Sequence, residues 1–162
     1  MAADRATVSV SASLLPDEIK ASVGGTTIYD LDDLGNNNKW IYSLTLITSV
    51  EDLIKDGVTF LGQGTAEEGV TASVKGTDDV HFLFVKHSGT TDGSTASTAT
   101  LAINLGAGTA TGTAVGDIII KPNECFFARI GAEGTEIQDL NAVSSSGAIQ
   151  AQVWAIVDDG GE

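Results

Sequence analysis

Residues 115–131, VGDIIIKPNECFFARIG, constrain the fold more than any other part of the chain. Two apolar runs rich in β-branched and aromatic residues flank Lys-Pro-Asn-Glu. Pro122 pre-sets φ for the second position of a turn, and Asn123 tolerates the position that follows. The spacing predicts a hairpin between residues 118–120 and 126–130, and with it a β fold.

Period-two alternation recurs elsewhere. In residues 39–50, Trp40, Tyr42, Leu44 and Leu46 fall on one face, with Ser43 and Thr45 on the other. In residues 80–87, Val80, Phe82 and Phe84 alternate with His81, Leu83 and Val85. Leu101, Ile103 and Leu105 point one way in residues 99–105. In residues 148–158, Ile149, Val153 and Val157 form one face, while Gln150, Gln152, Trp154 and Ile156 form the other. Weaker strands are expected at 26–31, 57–61, 70–74 and 137–143. Residues 88–98 are almost all Gly, Ser, Thr and Ala and read as a mobile surface loop; 106–114 is a second such loop.

Helical periodicity is nearly absent and no repeat of fixed period occurs. The pattern predicts an all-β, antiparallel β-sandwich or jelly-roll-like single domain over residues 26–162. Residues 1–25 read as an N-terminal arm, alternating weakly at 6–10, with one helical turn at 14–19 that has Pro16 at its first position. Such an arm is expected to order on a partner.

Eight basic against 22 acidic residues give a net charge of −14, a field that repels phosphate backbones and argues against a nucleic-acid partner. No apolar run approaches the ~18 residues of a membrane-spanning helix, and no secretory leader pattern is visible, so synthesis in a reducing cytoplasm is expected. Cys125 is the only cysteine, which rules out an intramolecular disulfide. Within its apolar strand it is expected to be a small buried hydrophobe, since only Arg129 lies nearby to lower a thiol pKa.

Tests for chemistry fail on spacing. An EF-hand loop starting at Asp30 places Leu34 at the fifth ligand position and Ile41 at the twelfth, so residues 30–38 read as a turn-rich loop. His81 and His87 are six apart, roughly 20 Å along an extended strand, too far to share a metal. No G-x-S-x-G elbow is present, and residues 62–69, GQGTAEEG, lack both phosphate-loop patterns. No catalytic, cofactor-binding or metal-binding residue emerges. The remaining candidate is the outward face of the last strand, where Trp154 stands with Gln150, Gln152 and Ile156. A large aromatic among amides suits contact with another subunit. The alternative is a Trp covered by a loop of its own chain.

From about His81 onward, the segments VHFLFVKHSGT, LAINLGAG, IIIKPNECFFARIG and SSSGAIQAQVWAIVDD resemble small structural proteins of tailed-phage virions. That resemblance implies a β-sandwich that decorates capsids or builds connectors and tails, with no catalytic residues. The expectation is a non-enzymatic capsid decoration (cement) protein on the outer surface of the phage head, made in the host cytoplasm and binding no cofactor, nucleic acid or membrane. Its partners would be the major capsid protein or other virion proteins, and it would be a homo-oligomer with a trimer favoured. The alternatives are a head–tail connector, tail or fibre component, or a carbohydrate-binding β-sandwich that stacks sugars on Trp40, Tyr42 or Trp154. A cupin-type enzyme ranks behind these for want of an H-x-H cluster.

Overall fold

The computed structural model describes residues 4–14, 21–31, 38–61, 73–106, 116–130 and 135–158. The chain falls into two compact units, residues 1–38 and 39–162.

The first unit is an antiparallel hairpin of β1 (Asp4–Leu14) and β2 (Ala21–Leu31), in register from Asp4 opposite Leu31 to Leu14 opposite Ala21. Thr7, Ser9 and Ser11 alternate with Val8 and Val10 along β1, the β-branched alternation that suits a pleated strand. Ser9 and Thr26 face each other, their hydroxyls 3.2 Å apart. Residues 26–31, expected to open the sandwich, therefore pair with residues from the expected arm. Leu14 ends a strand rather than starting a helical turn, and residues 15–20 lie outside the described residues.

Among its described residues, the second unit is all-β apart from one 3-10 turn. A five-stranded sheet has the order β5 (Phe60–Leu61), β3 (Asn38–Ile47), β11 (Ile149–Asp158), β6 (Asp79–His87), β9 (Cys125–Arg129). A four-stranded sheet has the order β4 (Glu51–Asp52), β10 (Asn141–Ser144), β7 (Leu101–Asn104), β8 (Ile118–Ile120). One hydrophobic cluster joins them: Ile41 and Ile47 from β3, Leu83 and Val85 from β6, and Ile149, Val153 and Val157 from β11 meet Leu101, Ile103, Ile120 and Ala142 of the other sheet. This is the sandwich that the alternation predicts, with Trp40, Tyr42, Leu44 and Leu46 facing away from the core. Thr45 points inward and is satisfied there by donating to the Leu53 carbonyl at 3.1 Å.

Three local expectations change. The Lys121–Glu124 segment is the expected turn: Glu124 N donates to Lys121 O at 3.0 Å, and Asn123 has φ 68°, the left-handed third position of a type II turn. It does not close a hairpin. β8 pairs with β7 and β9 pairs with β6, so the turn carries the chain from one sheet to the other. A type II turn matches the right-handed strand twist poorly as a two-residue hairpin loop, and works well as such a corner.

On β6, Ile156 pairs with Phe82 while Val157 pairs with Val80, so His81 is the extra residue of a bulge. The bulge turns Val80 into the core beside Leu83 and Val85, leaving Phe82 and Phe84 on the opposite face. The segment from Ile137 begins as a 3-10 turn (Ile137–Asp139) and becomes strand only at Asn141.

Candidate functional site

Ladder registers build the outward face of the five-stranded sheet row by row. Trp154, Phe84 and Phe127 stand in one cross-strand row, Gln152, Lys86 and Cys125 in the next, and Ile156, Phe82 and Arg129 on the other side. On β3, beside β11, Tyr42 brings its ring centroid to 4.5 Å from that of Trp154, the planes tilted at 43°. Trp40 reaches Phe82 edge-on at 6.3 Å, across the position where Ile156 lies.

The face is open at one end and filled at the other. Leu44 is 55% exposed, Leu46 49%, Phe127 41% and Trp154 40%, whereas Phe82 and Ile156 are buried. Large apolar side chains left contiguous on a surface mark a place of association rather than chance exposure. The charges here also depart from the rest of the chain. Against a net charge of −14, the rows carry the cations Lys86 and Arg129, and the acid at the end of β11, Asp158, lies 3.7 Å from His81 Nε2.

The four residues proposed from sequence share this face, with different roles. Trp154 is its exposed centre and Gln152 its half-buried neighbour. Gln150 is partly taken up by the adjoining loop, where a Cβ at Gly93 would meet its amide at 3.4 Å. Ile156 is a correction: it points the expected way but is wholly buried, so it supports the face from beneath. Phe84 and Phe127 join the face only through the strand register, which sets Phe84 beside Trp154 and Phe127 beyond Phe84. The alternation around them was the available signal.

Beside Gln150 stands a second built feature. Residues 88–98 are tied rather than loose: Thr90 bridges Ala96, and Thr91 N donates to Thr95 O at 2.8 Å. Asp92 gathers the turn, accepting from the backbone N–H groups of Thr95 at 2.7 Å and Ser94 at 2.9 Å and from both hydroxyls. Those bonds, the Thr95 and Ser94 amides foremost, hold its carboxyl below the usual carboxylate range. His87, buried at the end of β6, anchors the base of this loop to the start of β7 through Ala99.

Cys125, expected to be buried, is exposed at the start of the edge strand β9, because Phe126 takes the inward position. His87 is fully buried while His81 occupies the bulge, so the two share no site. Among the described residues no group of three or more His, Cys, Asp or Glu side chains is placed to hold a metal, and residues 32–37 of the tested calcium loop lie outside them.

Fold and site together define a small β-sandwich with an outward aromatic sheet face whose rows also carry Lys86 and Arg129. No protein family, curated protein or solved structure matches the chain.

Proposed function

We propose that this is a non-enzymatic virion structural protein, a decoration protein that docks on the outer surface of a phage head through the aromatic face of its five-stranded sheet. The observation carrying the proposal is the row of Trp154, Phe84 and Phe127 with Tyr42 beside it, in which Trp154 and Phe127 are exposed, Phe84 and Tyr42 are half-buried, and Lys86 and Arg129 stand in the neighbouring rows. Exposed Trp, Tyr and Phe with nearby Arg have the composition of interface hot spots, where a few anchors carry most of the binding free energy. The strongly acidic remainder suits a subunit that stays soluble at high concentration and docks in one orientation.

The test is co-sedimentation with empty phage heads. Wild-type protein should pellet with the heads, and Trp154→Ala should weaken binding by about 2 kcal/mol or more, the usual cost of losing an aromatic anchor. Equal binding by wild type and variant, or no binding to heads, refutes the proposal. A second reading, a glycan-binding module, is favoured by the Tyr42–Trp154 ring pair alone. The 43° tilt between those rings departs from a flat stacking platform. Glycan-array binding by the isolated chain, with no affinity for heads, would decide for that reading.

A further inference from the structure

Among its described residues, the hairpin of β1 and β2 shows neither a third strand nor a buried side chain. It is a two-stranded sheet, and among its described side chains none is buried: Val8 and Val10 are half-buried and Ile28 is 59% exposed. Two strands alone are marginal in water, and a third strand or a packed face is required for independent stability. The far edge of β1 has no ladder partner among the described residues. Natural edge strands of this length are usually blunted by Lys, Pro, a bulge or an inward charge. Here the eleven residues of β1 contain neither Lys nor Pro, the register to β2 is unbroken, and residues 6–14 carry no charge.

Charge selects the occupant. Two copies of a chain at −14 repel each other over most of their surfaces, yet residues 6–14 and 21–29 contain no Asp, Glu, Lys or Arg. β1 is also complementary to itself. An antiparallel pairing of two β1 strands centred on Ser9 sets Val8 opposite the second copy's Val10 and Thr7 opposite its Ser11, with Ser9 meeting its own counterpart on the two-fold axis. Like meets like at every central position, and the charges of Asp4 and Arg5 fall opposite the uncharged Leu14 and Ser13. We infer that β1 is a self-pairing edge through which two copies of this chain join into a four-stranded antiparallel sheet of order β2-β1-β1-β2. The inference does not depend on what the aromatic face binds.

The two-fold axis makes the test sharp, because any charge at position 9 is brought against itself. Full-length wild type should sediment as a dimer at micromolar concentration. Ser9→Lys and Ser9→Glu, each alone, should weaken dimerisation about fivefold, the effect of about 1 kcal/mol from like charges placed directly opposite. Mixing the two variants in equal amounts should restore the dimer at least to the wild-type level. Unchanged near-ultraviolet circular dichroism and melting of the variants would show that the sandwich is intact. A wild type that remains monomeric, variants that dimerise as wild type does, or a mixture that gains nothing over its components would each overturn the inference. Head binding is a separate readout in the same samples, so failure of the decoration reading leaves this result standing.

Discussion

The backbone amide of Gly89 donates to Nδ1 of His87 at 2.9 Å. Because Nδ1 accepts, the ring proton sits on Nε2, which donates to the Ala99 carbonyl at 3.1 Å. The neutral imidazole thus ties the end of β6 to the base of the 88–98 loop and to the strand that follows it. Burial pushes its pKa below the ordinary 6.5, outweighing the Ala99 bond, which acts the other way.

A lowered folded-state pKa means that the unfolded chain binds this proton first as pH falls. The stability that His87 contributes is therefore complete above pH ~6.5 and declines as pH drops below it toward the folded-state value. Melting curves from pH 7.5 to 5 should show a falling Tm in wild type and a flatter profile in His87→Gln. Parallel profiles would assign the pH dependence to other groups.

Asp92 acts in a more acidic window. Its carboxyl is held low, so the order it brings to residues 90–96 is present above ~3.9 and disappears only as pH falls below the unfolded value. Asp92→Asn keeps an acceptor but loses the charge. Amide exchange at Ser94 and Thr95 should accelerate in the variant at neutral pH, while strand amides in the core keep their protection.

Trp154 and Ile156 lie two residues apart on one face and should respond oppositely to truncation. Ile156→Ala removes a wholly buried side chain and should cost about 2–5 kcal/mol of folding stability. Trp154→Ala should cost clearly less, because much of its ring is already in water. Urea unfolding of both variants checks the order, and a larger loss for Trp154 would make it a core residue.

Gly89 has φ 80°, and an added Cβ would collide with the Asn123 side-chain amide. Gly89→Ala should cost about 1–3 kcal/mol through backbone strain and that collision together. The double variant with Asn123→Gly relieves only the collision, so its stability relative to Gly89→Ala, corrected for Asn123→Gly alone, isolates the contact.

The outward faces of β3 and β11 were legible because alternation of period two is a property of sequence. Which strands lie side by side is not. The row of Trp154, Phe84 and Phe127 joins residues 27 and more positions apart, and only long-range pairing sets it. The corner at Pro122–Asn123 shows the same boundary: local φ preferences determined the turn, while the destination of the strand leaving it depended on the neighbours β6 and β7. His81 marks a third case, since a bulge of one residue reverses facing and leaves no trace in composition.

The last described strand is also the central one of its sheet, for β11 lies between β3 and β6. Until residues 149–158 have left the ribosome, the pair β5 and β3 and the pair β6 and β9 have no described strand between them to complete the ladder. Completion of the five-stranded sheet therefore comes late, and it waits on contacts between residues about a hundred positions distant. The surplus of negative charge spread along the waiting segments is well suited to that interval, because it keeps unfinished chains from one another.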